Sequence, residues 1–119
     1  MLGIGIDIVD IARLTKSVAE SGPDFVSRFL TPAEVSQVGR NPVQSASLFA
    51  AKEAFSKALG TGIYGSFSFQ DVEIRGDLKS PTIHLSGRAR EIAEEQGVTK
   101  IHVSITADEE LAAAVVVLE

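Results

Sequence analysis

The segment NPVQSASLFAAKEAFSKALG, residues 41–60, predicts the longest helix of this 119-residue chain. Asn41 and Pro42 are typical of the start of a helix, and Gly60 is typical of the position that ends one. The apolar residues of the segment recur at helical spacing and form one stripe: Leu48, Ala51, Phe55, Ala58 and Leu59. We therefore expect this helix, rich in alanine and phenylalanine, to lie deep in the fold.

Patterns on both sides of this helix predict an α+β fold, in which an antiparallel sheet packs with the long helix and several short helices. We expect a single domain over residues 1–119, because this length suits one domain and not two. The predicted strands cover residues 2–9, 67–75, 82–85, 100–106 and 111–118. The predicted short helices begin at residues 11, 24, 32 and 87, and the first of them ends by residues 21–23.

Three local signals refine these elements. Thr31 and Glu34 have the spacing of a capping box, and Ser86 is a predicted helix cap. The alternation of residues 67–75 slips near Gln70 and Asp71, which we interpret as a β-bulge. The last strand is apolar on both faces, which predicts burial on both sides by its own domain or by a neighbouring subunit.

Composition narrows the class of protein. The formal net charge is −5, which disfavours a general nucleic-acid binder. No apolar run approaches the ~20 residues of a membrane span, and the N-terminus lacks the basic region of a signal peptide. The absence of cysteine fits a reducing compartment. We expect a cytoplasmic protein that binds neither nucleic acid nor membranes.

Asp7 is the first candidate for chemistry. It lies in the middle of GIGIDIV, residues 3–9, which is otherwise apolar or glycine. A carboxylate buried there needs a metal, a cation or several hydrogen bonds. The alternative is a carboxylate at a strand end that caps a neighbouring element or pairs with a lysine.

Glu53 and Lys57 form the second candidate, four residues apart on the long helix. They fit an exposed ion pair worth about 0.3–0.5 kcal/mol. Because their helix is expected to be deep, they also fit a site where the glutamate holds a cation and the lysine takes a phosphate oxygen.

Other segments contain weaker candidates for a functional role than Asp7 and the pair of Glu53 and Lys57. The glycine-rich loop at residues 61–66 follows Gly60, and its backbone could approach a ligand. Ser104 and Thr106 alternate with His102 on one polar face and could donate to a ligand amide, whereas a solvated role is favoured for His102. The basic residues Arg13, Lys16 and Arg28, near Phe25, fit either a solvated face or a surface that docks an acidic partner helix.

Two motifs together resemble one family. GIDIV at residues 5–9 and FAAKEAFSKALGTG at residues 49–62 closely resemble the holo-acyl-carrier-protein synthase family of 4′-phosphopantetheinyl transferases. FQDVEI at residues 69–74, HVSIT at residues 102–106 and the closing apolar strand are also similar to that family. The resemblance covers nearly the whole chain.

The resemblance implies transfer of phosphopantetheine from coenzyme A to a serine of apo acyl carrier protein, in support of fatty acid biosynthesis. It implies Mg²⁺ held by Asp7 and Glu53, and a homotrimer with coenzyme A between neighbouring subunits. The acceptor is either a free carrier or a carrier domain of a fatty-acid or polyketide synthase. The resemblance also implies that Lys57 contacts the coenzyme A phosphates. The other predicted coenzyme A contacts are Gly60, Thr61, Gly62, Ser104 and Thr106, and the predicted carrier-docking residues are Arg13, Lys16, Phe25 and Arg28.

We expect the acceptor of the serine proton to be Glu53 or a water on the metal, with Asp108 as the second candidate. The sequence departs from the family at Leu48 and Ala107, where many members have a basic residue and a histidine, and at Lys79-Ser80-Pro81, where they have Gly-Lys-Pro. Two other classes of function stay open beside the transferase. One is a trimeric binding module without turnover, and the other is a metal-dependent phosphohydrolase.

Overall fold

Two antiparallel sheets and five α-helices form the described part of the chain, which is residues 1–22, 24–63 and 65–119 of a computed structural model. The predicted α+β fold is confirmed. The parts of the predicted first-helix end and glycine-rich loop that fall on Pro23 and Tyr64 lie outside the described residues. In chain order the elements are β1 (Gly3–Asp10), α1 (Ile11–Ser21), α2 (Asp24–Phe29), α3 (Pro32–Val38), α4 (Pro42–Leu59), a 3₁₀ turn (Phe69–Asp71), β2 (Val72–Arg75), β3 (Thr82–Leu85), α5 (Gly87–Glu95), β4 (Ile101–Ala107) and β5 (Leu111–Leu118).

The main sheet has the strand order β1-β5-β4, with both neighbouring pairs antiparallel. β5 is the central strand: Gly3 of β1 pairs with Leu118, and Ile101 of β4 pairs with the same residue from the other side. β2 and β3 form a separate two-stranded ribbon. Helix α4 covers one face of the main sheet and forms the centre of the core, as its sequence predicts.

The backbone of β1 lies directly on the backbone of α4. A Cβ atom added at Gly5 would come within 2.0 Å of the Ala54 carbonyl oxygen, and one at Gly3 within 2.1 Å of the Ala58 carbonyl oxygen. Glycine is therefore required on this face of the strand for the observed approach. Asp7, two residues beyond Gly5, points to the same face and reaches the side of α4.

The opposite face of the main sheet is open in the single chain. Ile4, Ile6 and Ile8 point outward and are 58%, 67% and 63% exposed. On the outward side of β5, Leu111 is exposed and Ala113, Val115 and Val117 are half-buried, whereas the inward residues are buried: Ala112, Ala114, Val116 and Leu118. The predicted two-sided apolar last strand is thus covered by its own chain on one side only.

Two local predictions are wrong. Residues 67–75 are not one bulged strand, because the Ser68 hydroxyl accepts from the Gln70 N–H at 3.1 Å and starts a 3₁₀ turn that precedes β2. Ser86 stands at the start of α5, but its side chain makes no capping hydrogen bond. The Asp71 carboxylate accepts from the Ala89 N–H instead, at 3.4 Å.

The predicted capping box is confirmed. The Thr31 hydroxyl accepts from the Glu34 N–H at 3.2 Å, and Glu34 Oε1 accepts from the Thr31 N–H at 2.7 Å.

Within residues 1–22, 24–63 and 65–119, no helix combines the length and apolar character that a membrane crossing requires.

Candidate functional site

Asp7 and Lys57 meet where β1 crosses α4. The Lys57 ammonium donates to Asp7 Oδ1 at 2.9 Å and to the Ile6 carbonyl oxygen at 3.1 Å. The Asp7 side chain is only 16% exposed, whereas the Lys57 side chain is 53% exposed. In the described structure Lys57 therefore pairs across the fold with Asp7, and this replaces the local ion pair with Glu53 that the helical spacing alone would suggest.

Glu53 is half-buried one helical turn before Lys57. Burial raises the pKa of its carboxyl above the ordinary value, and the negative charge of Asp7 raises that pKa further, while the Lys57 ammonium opposes both effects. Two carboxylates thus share one partly desolvated region. A cation bound between them would remove their repulsion.

Both carboxylates line an open groove of ≈ 540 Å³. Strand β1 contributes Asp7 and Asp10, α4 contributes Glu53, α1 contributes Arg13, and α2 contributes Phe25. The Asp10 carboxylate accepts from the Arg13 N–H at 3.0 Å and so caps α1 at the edge of the groove. Two predicted docking residues, Arg13 and Phe25, therefore border the same groove as the predicted metal ligands.

The donor set of this groove suits Mg²⁺ better than a metal that requires a full protein cage. Across the part of the chain that the structure describes, no three His, Cys, Asp or Glu side chains come together as a metal site. Mg²⁺ commonly uses one or two carboxylates and completes its octahedron with waters and substrate phosphates. Asp7 and Glu53 fit that pattern.

Comparison with known proteins identifies the family. Residues 3–116 match the 4′-phosphopantetheinyl transferase superfamily. The holo-[acyl-carrier-protein] synthase of Maridesulfovibrio salexigens is 44% identical over 122 residues, which span 100% of this chain and 98% of that protein. This chain belongs to the holo-[acyl-carrier-protein] synthase family.

Solved structures of holo-[acyl-carrier-protein] synthases are similar to this chain in both sequence and fold. The Neisseria meningitidis synthase is 38% identical with a TM-score of 0.90, covering 100% of this chain and 98% of that one. The Helicobacter pylori synthase, solved in complex with coenzyme A, is 40% identical with a TM-score of 0.87, covering 98% of this chain and 99% of that one.

The remaining residues that are predicted to contact coenzyme A lie in two places. Gly60, Thr61 and Gly62 follow directly after α4, next to Lys57, and Gly60 has the left-handed conformation of a helix cap. Ser104 and Thr106 lie elsewhere. Their register with Ile6 and Ile8 through β5 puts them on the open face of the main sheet, opposite Asp7.

Asp108, the second candidate proton acceptor, forms the turn between β4 and β5. Its Oδ1 accepts from the N–H groups of Leu111 and Glu110, both at 2.8 Å, and these bonds lower the pKa of the Asp108 carboxyl. A lowered pKa makes this carboxylate a weaker base than Glu53. Leu48, where many synthases have a basic residue, is buried in the core.

Sequence reasoning missed Lys52, which is as buried as any core residue. Its ammonium donates to Glu34 Oε1 at 2.6 Å and to the Phe69 carbonyl oxygen at 3.0 Å. Burial lowers the pKa of Lys52, and the Glu34 carboxylate opposes that effect. The signal was present, because Lys52 follows Leu48 by four residues and precedes Phe55 by three, on the apolar stripe itself.

Proposed function

We propose that this chain transfers 4′-phosphopantetheine from coenzyme A to a serine hydroxyl of apo acyl carrier protein. The serine oxygen forms a bond to the phosphorus next to pantetheine, the pyrophosphate bond breaks, and adenosine 3′,5′-bisphosphate leaves. Membership of the synthase family supports the reaction. The structural observation that carries it is that Asp7 and Glu53 line one groove and that the Lys57 ammonium donates to Asp7.

Asp7 and Glu53 are the proposed ligands of Mg²⁺. When bound, the ion would neutralise the pyrophosphate and stabilise the charge that develops as the phosphoanhydride bond breaks. The half-buried position of both carboxylates supports the assignment, because a cation there offsets the cost of their ionisation.

Lys57 and Glu53 have proposed roles of their own. The Lys57 side chain is more than half exposed, and its ammonium has a third N–H beyond the two bonded to Asp7 and Ile6, which could donate to a phosphate oxygen. Glu53 is also the proposed acceptor of the serine proton, because its carboxylate lines the groove at which the carrier is proposed to dock. Asp108 is the less favoured alternative.

The active assembly is a proposed homotrimer with coenzyme A between subunits. The open face of the main sheet supports it, since an exposed row of three isoleucines is typical of an association surface. Ser104 and Thr106 lie on that same face. Their proposed contact with coenzyme A therefore requires that a second copy of the chain approach the sheet.

The carrier protein is proposed to dock at Arg13, Lys16, Phe25 and Arg28. Arg13 and Phe25 line the groove that also holds Asp7 and Glu53, so a carrier seated on them brings its serine to the proposed metal ligands. Lys16 and Arg28 are exposed beside them and extend the positive charge that an acidic carrier helix would meet.

The test is to incubate the protein with coenzyme A, Mg²⁺ and apo acyl carrier protein and to weigh the carrier by mass spectrometry. We expect the mass to rise by one phosphopantetheine per carrier, with one adenosine 3′,5′-bisphosphate released. Release of the bisphosphate with an unmodified carrier would indicate a phosphohydrolase. Carrier binding without either product would indicate a binding module.

The docking surface has a separate test. Arg13→Glu is expected to raise the KM for the carrier at least about tenfold and to leave the KM for coenzyme A unchanged, because a central charge contact is reversed. Arg90→Glu on α5, also exposed, is the matched control. Equal carrier KM values in the two variants would contradict the assignment of Arg13.

A further inference from the structure

The ion pair between Lys52 and Glu34 lies directly behind the functional groove. Lys52 precedes Glu53 in the sequence, and successive residues of a helix point about 100° apart. Glu53 therefore faces the groove, while Lys52 faces the interior. Both partners of the pair have fully buried side chains.

The Glu34 carboxylate joins several elements at one point. Its Oε1 accepts from the Lys52 ammonium and from the Thr31 N–H at the start of α3, and its Oε2 accepts from the Ile74 N–H of β2 at 2.7 Å. The same ammonium donates to the carbonyl oxygen of Phe69 in the 3₁₀ turn. The pair thus fixes α4 to α3, to β2 and to the 3₁₀ turn.

Stability alone does not explain this arrangement. Removing two charges from water is costly, and well-packed apolar residues of similar volume often serve a fold equally well or better. What a buried ion pair can add is one specific geometry, because its hydrogen bonds are directional and apolar contacts are not.

Helix α4 needs such a constraint. Its buried side chains include Leu48, Phe55 and Leu59, but toward β1 it presents Ala54 and Ala58. Against the sheet it faces the bare backbone of Gly3 and Gly5. Small side chains against glycine offer few knobs and holes, so these contacts oppose rotation or sliding of the helix only weakly.

We propose that the buried Lys52–Glu34 ion pair is a positioning device, which sets the rotation and register of α4 so that Glu53 and Lys57 meet Asp7. The inference rests on the proposed function of the groove. A side-chain tip lies about 5–6 Å from the helix axis, so a rotation of roughly 20° moves it by about 2 Å. That displacement exceeds the ~0.5 Å within which a metal or catalytic site must be held.

The test is the double variant Lys52→Met/Glu34→Gln, which keeps the volume and removes both charges. Two quantities are measured: the transfer rate, and the affinity for Mn²⁺, which serves as a probe for the Mg²⁺ site. Electron paramagnetic resonance detects the binding of Mn²⁺. We expect the variant to unfold within a few degrees of the native protein, to bind Mn²⁺ at least about tenfold more weakly and to lose kcat in the same proportion. The control is Arg90→Gln/Glu94→Gln, which removes an exposed ion pair on α5 whose nitrogen and oxygen lie 3.0 Å apart. This control is expected to change neither the Mn²⁺ affinity nor kcat.

A folded double variant with native Mn²⁺ affinity and native kcat would overturn the inference. If the double variant does not fold, Glu34→Asp decides, because it keeps the charges but shortens the link by one methylene. It is expected to weaken Mn²⁺ binding, and native affinity in it would overturn the inference. Glu53→Gln separates the two proposals: native Mn²⁺ affinity there would refute the metal assignment itself, on which the positioning role depends.

Discussion

Replacing Gly5 with alanine tests how the approach of β1 to α4 creates the site. The added Cβ would lie 2.0 Å from the Ala54 carbonyl oxygen and 2.6 Å from the Ala58 nitrogen, whereas ordinary van der Waals contact begins at 3.4 Å. Both obstacles are backbone atoms, so no side chain can turn aside and the strand must withdraw by more than an ångström. Overpacking typically costs about 1–3 kcal/mol, and we expect about 3 kcal/mol here.

For a domain of this size, that loss corresponds to a fall of roughly 10–20 °C in Tm. Urea unfolding of Gly5→Ala is compared with that of Gly97→Ala. Gly97 has a positive φ of 80° but nothing within 4 Å of an added Cβ, so its replacement costs only the left-handed conformation, about 1–2 kcal/mol. Folded Gly5→Ala protein is also expected to lose Mg²⁺-dependent transfer, because the displaced strand carries Asp7 away from Glu53. A loss of stability no greater than that of Gly97→Ala would refute the close-approach reasoning.

Three further predictions follow from the same geometry. Without metal, the raised pKa of Glu53 means that the folded state keeps this proton longer than the unfolded chain, so stability should fall as pH rises above the ordinary value of 4.5; urea unfolding of Glu53→Gln should show a flatter profile, and identical profiles would contradict the shift. Ile6→Glu places a charge on the open face and should give monomers in sedimentation velocity, whereas Val35→Glu, at a partly exposed residue of α3, should keep the native mass; an unchanged mass for Ile6→Glu would rule out this face as the interface. Lys57→Met should raise the KM for coenzyme A about 10- to 100-fold through loss of a charge-assisted hydrogen bond, and without metal it should destabilise the fold because the mostly buried Asp7 carboxylate loses its ion-pair partner; a native KM would remove Lys57 from the phosphate site.

The parts of the fold that depend on local signals could be predicted from the sequence. Asn41 and Gly60 bound α4, and the capping box of Thr31 and Glu34 starts α3, because each signal acts within one helical turn. The 3₁₀ turn before β2 was missed, since the break in alternation at Gln70 and Asp71 is equally typical of a bulge within one strand. The role of Asp71 at α5 was missed as well, because its carboxylate acts 18 residues away in the chain.

The functional site, like the fold, has parts that the sequence predicts and parts that depend on contacts between distant residues. Asp7 and Glu53 were predicted from motifs, and the structure brings both to one groove. Lys57 pairs with Asp7, which lies 50 residues away in the sequence. Helical spacing indicates only local pairs, so it predicted Glu53 as the partner of Lys57. Lys52 was overlooked because a lysine is rarely fully buried, and only its place on the apolar stripe indicated the opposite. The position of Ser104 on the open sheet face depends on strand register, which the sequence pattern leaves undetermined.

The most direct test of the central claim is the Mg²⁺ dependence of carrier modification. The rate at which apo acyl carrier protein gains phosphopantetheine is followed by mass spectrometry over a Mg²⁺ titration, for the native protein, Asp7→Asn and Glu53→Gln. Each replacement removes a proposed ligand charge while keeping the shape of the side chain. We predict saturable activation of the native protein, and a loss of at least about a hundredfold in each folded variant. Native Mg²⁺ activation in either variant would contradict a magnesium site built from Asp7 and Glu53.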